Sequence, residues 1–178
     1  MNTFNDYFMS VPFEVDQINQ AYKSDMIKKF VCDKFKINSD ENGYNTLFDD
    51  SVYTSTIKNK FLKVIEDEFL VSSQLGEIKT WIYVQNKKHF KSVWHTHVKT
   101  STVNAVYYID PPKKGGGLNL RFSGREIVIH PDINQLYLFP YWMEHRPLPQ
   151  DDDDWRISVN IEYLCSQRAE VKKTGILW

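Results

Sequence analysis

Three short stretches of this chain carry residue types that could do chemistry together. Trp94-His95-Thr96-His97 sets two imidazoles at i and i+2, His145 stands apart downstream, and Arg156, Ser158 and Asn160 alternate with Ile157, Val159 and Ile161. A strand turns residues i and i+2 to one face, so His95 and His97 can deliver two ligands to one point. The same period gives the last run three hydrogen-bonding groups on one side and three aliphatic side chains on the other. Imidazole binds divalent first-row metals well, and two ligands from one strand with a third from elsewhere leave positions open for substrate. His95, His97 and His145 are therefore the candidate metal ligands and catalytic centre. Arg156 offers a planar fork for a carboxylate and Ser158 a hydroxyl, so together they suit an acidic co-substrate beside the metal. The competing reading of Arg156 is a salt bridge to its own loop, Asp151 to Asp154.

These residues need strands to hold them. Residues 136–139 and 157–163 are apolar strand-like runs, and the connector between them carries Pro147, Pro149 and four aspartates. This reads as an antiparallel pair closed by a polar turn, with His145 entering the turn and Arg156 leaving it. Further short runs rich in β-branched and aromatic residues cover 79–84, 103–109, 118–122 and 126–129, separated by Pro, Gly and Asp turn chemistry. Six or more such strands indicate a sandwich or barrel. Before them, spacings of three and four predict amphipathic helices over 17–35 and 54–73, the second with Thr54 or Ser55 as N-cap. Two helices in this position would cover one outer face. Residues 1–16 read as an edge strand or ordered arm, 38–53 as loop, and 167–178 end apolar with no indicated docking place. The chain is thus expected to be one domain over 1–178, with helical support over 1–76, a β core over 77–164 and an extension over 165–178.

At 178 residues such a domain buries close to about 70% of its unfolded surface without staples. Cys32 and Cys165 lack CxxC spacing, which suits a reducing, cytoplasmic setting. No apolar run of about 18 residues is present, so no membrane span is expected. A net charge of −1 supplies no field for nucleic acid. His89 and His130 lack neighbouring ligand types and read as surface residues. Trp94, Tyr107, Tyr108 and Trp142 read as wall or core, with one of the two tyrosines available to donate to the co-substrate. The glycines 115–117 lack the Lys-Ser/Thr of a phosphate loop.

The runs WIYVQN, HTH, VYYI, GGGLNLRF, LYLFPYWMEH and RISVN resemble the Fe(II)/2-oxoglutarate-dependent oxygenases, in particular a branch related to prolyl 4-hydroxylases that occurs in phages and bacteria. The resemblance covers about half the chain, from Trp81 to Leu164. It implies a mainly β fold with N-terminal helices, a double-stranded β-helix of the jelly-roll or cupin-like kind. It also implies Fe(II), 2-oxoglutarate and O2 as cofactor and co-substrates, with hydroxylation of a peptide, protein or small molecule as the outcome. His95 then fills the first ligand position, His145 the distant one, and Arg156 with Ser158 the co-substrate motif; Tyr107 or Tyr108 would assist. His97 stands where most of the superfamily has a carboxylate. Three neutral imidazoles would leave a divalent site at +2 rather than +1, favouring a dianionic co-substrate while weakening the electrostatic hold on the metal. Two alternatives share the barrel: a three-histidine cupin-type dioxygenase without 2-oxoglutarate, which would not need Arg156, and a non-enzymatic jelly-roll module.

Overall fold

The computed structural model of the chain describes residues 2–15, 23, 24, 27, 46, 47, 52–71, 76–88, 90 and 92–178. Most of the helix expected over 17–35 and of the loop over 38–53 lies outside these residues, as do Cys32 and His89. Within them, Lys23, Ser24 and Ile27 are helical, and Ile27 packs against the core.

The strands are β1 (Met9–Pro12), β2 (Thr46–Leu47), β3 (Gly76–Gln85), β4 (Val103–Asp110), β5 (Leu118–Phe122), β6 (Arg125–Ile129), β7 (Gln135–Pro140), β8 (Glu144–Pro147) and β9 (Arg156–Cys165), with helix α1 (Val52–Glu68) between β2 and β3. They form a six-stranded sheet in the order β1-β7-β4-β9-β3-β2 and a three-stranded sheet in the order β6-β5-β8. All pairs are antiparallel. This is the double-stranded β-helix expected above, and all six anticipated strands are present.

One expectation is corrected. The runs that become β7 and β9 are not paired with each other, because β4 lies between them and bonds to both. Their connector is no simple turn. It contains β8, a strand too short and too polar to show a period, which crosses to the smaller sheet and pairs with β5.

Alternation along the large sheet sends its two faces into different cores. On the outer face Ile82, Val84, Ala105, Tyr107, Val159, Ile161 and Tyr163 meet Ile57, Phe61 and Ile65 of α1. Those three helix residues recur every fourth position, forming the stripe that the sequence pattern shows. The inner face meets the small sheet through Val106, Tyr108, Leu118, Leu120, Tyr137 and Phe139. Helix α1 begins at Val52, so Thr54 and Ser55 lie in its first turn rather than at its cap, and it stops five residues before the expected end. The C-terminal segment explains the stop: Phe69 bridges Val171, and the Leu70 amide donates to Glu170 O at 2.7 Å. The same segment docks by Trp178, whose ring lies 4.9 Å from Phe69 and whose Nε1 donates to Asp6 O at 3.0 Å.

Phe61 is 0% exposed at the centre of the outer core. Phe61→Ala should lower unfolding free energy by about 3–5 kcal/mol, since transfer and cavity terms both act on a buried aromatic. Urea denaturation of the two proteins checks this.

Candidate metal centre

Backbone pairing brings the histidines together. His95 and His145 exchange both main-chain hydrogen bonds, 3.1 Å from His95 N to His145 O and 3.0 Å from His145 N to His95 O. Residues directly opposite in an antiparallel pair point to the same face, so the two imidazoles stand side by side, ring centroids 4.2 Å apart. His97 follows two residues on. Its amide donates to Tyr141 O at 3.0 Å, and its carbonyl accepts from the amides of Thr100 and Ser101 at 3.1 Å each, which turns the chain immediately after it.

Each ring nitrogen then has a defined job. His95 Nδ1 lies 2.9 Å from Val93 O and His145 Nδ1 3.1 Å from Met143 O. His97 Nδ1 lies against the Glu162 carboxylate. Carbonyl and carboxylate oxygens only accept, so each Nδ1 carries the proton and each Nε2 presents a lone pair. The Nε2 atoms of His97 and His145 nevertheless lie 3.2 Å apart, and the ligand atoms of all three residues fall within 4.8 Å of one another. Lone pairs so close repel unless a proton or a metal ion sits among them. Burial works against the proton: it holds His145 well below its ordinary 6.5, helped by the two other histidines, and it also lowers His95. A metal–nitrogen bond of about 2.1 Å would separate two cis ligands by about 3.0 Å, close to the spacing seen. The donor set fits a divalent ion.

A cavity of about 310 Å³ adjoins this centre, within the size range of small-molecule sites. His95, His97 and His145 line it together with Trp81, Tyr83, Gln85, Tyr108, Arg156, Ser158 and Asn160. Arg156 is 1% exposed. Its Nη1 donates to Gly116 O at 2.8 Å and to Leu148 O at 3.1 Å, and its Nη2 to Gln85 Oε1. Positive φ values of 65° and 64° at Gly115 and Gly116, which glycine adopts without cost, let the loop turn so that this carbonyl is offered. All these acceptors are neutral. Among the described residues no carboxylate pairs with Arg156, and two of the loop aspartates are engaged elsewhere, Asp154 by Lys113 and Asp152 by the Lys114 amide.

The two tyrosines separate by face. Tyr108 lies opposite Ser158 in register, lines the cavity, and has its hydroxyl pushed up to about 12 by burial. Tyr107 does not join the site. It points into the outer core, its ring 5.1 Å from Phe13. Trp94 and Trp142 are packing residues, as expected. Trp94 is stacked by the guanidinium groups of Arg121 at 4.1 Å and Arg146 at 4.4 Å, and Trp142 packs on Tyr7 at 5.1 Å. His130 is exposed and apart from the cluster. Of the loops that flank the candidate residues, 99–102 turns away: Ser101 and Thr102 are buried and bond to Tyr163 O and Cys165 O.

Sequence reasoning passed over Trp81, Tyr83 and Gln85, and it did not follow the alternation Arg156, Ser158, Asn160 one step further to Glu162. Period two was the available signal in both cases. β3 lies beside β9, with Gln85, Tyr83, Trp81 and Lys79 opposite Arg156, Ser158, Asn160 and Glu162. Trp81 Nε1 and Asn160 Nδ2 are buried donors with no hydrogen-bond partner among the described residues.

Solved structures share this architecture at low identity. A prolyl 4-hydroxylase from Phytophthora capsici matches over 90% of this chain and 59% of its own, with 14% identity and a TM-score of 0.57. A Pseudomonas putida prolyl-4-hydroxylase matches over 90% and 93%, with 13% identity and a TM-score of 0.60. This is the fold of the prolyl 4-hydroxylases. It extends to other alpha-ketoglutarate-dependent enzymes, since the non-heme carbocyclase SnoK of nogalamycin biosynthesis matches over 94% of this chain and 83% of its own, with 10% identity and a TM-score of 0.56. The chain spans about 59% of the length of the Phytophthora enzyme. No protein-family model and no curated protein matches the sequence.

The histidine geometry sets a pH dependence. A metal ion requires all three rings neutral, so occupancy should fall as protons compete. Because burial holds His95 and His145 below 6.5, loss should come below that pH, with more than one proton taken up per ion released. The metal-free fold should weaken over the same range: below 6.5 the unfolded chain binds protons that the folded chain refuses, so stability is lost as pH falls. Co(II) titrations and thermal melts between pH 7.5 and 5, the range about the histidine pKa, measure both. His145→Ala should abolish Co(II) binding, and His130→Ala should leave it unchanged.

Proposed function

We propose that this chain is an Fe(II)- and 2-oxoglutarate-dependent oxygenase, with His95, His97 and His145 as metal ligands and Arg156 as the anchor of the co-substrate. The observation that carries the reading is Arg156: a guanidinium with 1% exposure, on the wall of the histidine-lined cavity, with no carboxylate paired to it among the described residues. A buried charge left unpaired is costly. A carboxylate arriving in the cavity relieves that cost, and the fork of Arg156, partly occupied by backbone carbonyls, is already held in place to receive it.

Ser158 and Tyr108 flank Arg156 on the same face and add hydroxyls for the same carboxylate. Asn160 and Trp81 come next along the strands, and their unpartnered donors suit an oxygen nearer the histidines. A dianion would pair with Arg156, while the three histidines would hold the metal. When bound, the metal would supply Lewis acidity and oxygen activation, coupled to oxidative decarboxylation of the keto acid. The protein binds, orients and keeps water away. A three-histidine dioxygenase working without a keto acid would use the same histidine cluster but would leave Arg156 without a carboxylate.

The prime substrate is proposed as a peptide, protein or small molecule that gains a hydroxyl. The prolyl 4-hydroxylases favour a peptidyl substrate by analogy, whereas the carbocyclase on the same fold shows that the fold does not dictate the outcome.

The enzyme should convert 2-oxoglutarate to succinate in the presence of Fe(II), slowly even without its prime substrate. Absence of succinate above a metal-free control, across peptides and metabolites screened by mass spectrometry for addition of one oxygen, would falsify the reading. Arg156→Leu should weaken 2-oxoglutarate by about 30-fold or more, from a cost of roughly 2–5 kcal/mol for truncating a buried charge pair, while Co(II) affinity holds. Arg156→Lys keeps the charge without the fork and should fall between. Both variants should also melt earlier, because Gly116 O and Leu148 O lose their donor. Equal 2-oxoglutarate affinity in all three proteins would reduce Arg156 to a brace.

A further inference from the structure

Glu162 is 7% exposed on the inner face of β9, and among the described residues it forms no ion pair with Lys or Arg. Lys79, directly opposite in register, is exposed and does not pair with it. Among the described residues, the chargeable group in contact with the carboxylate is the His97 imidazole, through Nδ1. A buried carboxylate with no cation of its own is as costly as a buried guanidinium without an anion. At the other side of the His97 ring, Nε2 faces His145 Nε2 at 3.2 Å, in the gap where the lone pairs converge. The ring therefore stands between an unneutralised anion and an uncompensated cluster of lone pairs.

We propose that Glu162 is a positioning residue that returns, one shell out, the negative charge that the His95-x-His97 ligand pair lacks. The proposal rests on the metal assignment made above. Glu162 accepts the Nδ1 proton of His97, which fixes the tautomer with Nε2 as ligand, sets the plane of the ring, and makes the imidazole a stronger donor. With a divalent ion in place, Glu162 brings the assembly of three imidazoles from +2 back to +1, the charge of a site in which a carboxylate binds the metal directly. His95 and His145 use backbone carbonyls in the corresponding places, so the direct contact of the carboxylate with the ligand set is through His97. No exchange of groups within the site is needed to make this pairing: β9 carries both Arg156 and Glu162 on one face, and each ends the row of polar side chains that lines or backs the cavity.

Co(II) binding to the chelator-treated protein tests this without turnover. Glu162→Ala should weaken Co(II) by 10- to 100-fold, the range that follows loss of such a partner, and should alter the Co(II) absorption bands. Glu162→Gln still accepts from Nδ1 but carries no charge, so it should lie between wild type and Glu162→Ala. If Glu162→Ala does not fold, Glu162→Gln decides alone. His97→Asp puts a carboxylate back among the ligands and removes the ring that Glu162 holds, so adding Glu162→Gln to it should cost no further affinity. A residue that only stabilised the sheet would lower the melting temperature of the metal-free variants and leave Co(II) affinity and spectra unchanged. That result, or a Glu162→Gln loss that persists in the His97→Asp background, overturns the proposal. Wild-type protein that fails to bind Co(II) overturns the metal assignment itself, which separates the two failures.

Discussion

Two buried charges of opposite sign on one strand organise the inner face of this protein. Arg156 and Glu162 both lie on β9 with almost no exposure, and neither has an oppositely charged Lys, Arg, Asp or Glu partner among the described residues. Burial of an unpaired ion is tolerated only where other groups share the cost. Arg156 is held by three neutral acceptors, and Glu162 by one imidazole. A strand advances about 3.3 Å per residue, so the two charges sit far apart along β9 with the cavity extending between them. Arg156 lines the small-molecule-sized cavity, and Glu162 stands behind the His97 ring that lines it.

The rest of the fold keeps this strand rigid and dry. β9 is bonded on both sides, to β3 and β4 over most of its length, so its polar face cannot fray. Its apolar face is sealed by α1 and by the C-terminal segment, with Phe61 and Trp178 buried there. The small sheet closes the other side and supplies His145, with His95 bonded to it as an added partner. Lone pairs from three rings converge because the backbone carbonyls behind His95 and His145, and the carboxylate behind His97, accept from Nδ1 and so keep the protons there. The site is thus assembled by acceptors that a list of its three histidines would omit.

What the sequence determined by itself is local. Period two marked six strands and put Arg156, Ser158 and Asn160 on one face; the recurrence of Ile57, Phe61 and Ile65 at every fourth position marked the helix stripe. His95, His97, His145 and Arg156 were legible because imidazoles at i and i+2, a third downstream, and a guanidinium on one face with Ser158 and Asn160 are residue types suited to a metal and a carboxylate. Tertiary structure decided which strands are neighbours, since pairing joins residues far apart in the chain and leaves no trace in local periodicity. It placed β4 between β7 and β9, made β8 from a stretch with no period, and sent Tyr108 inward and Tyr107 outward. It also chose the partners of the buried charges: Gly116, Leu148 and Gln85 for Arg156 rather than the aspartates beside it, and His97 for Glu162. Contacts of that kind depend on which side chains the sheet register sets face to face, and register is a property of the folded whole.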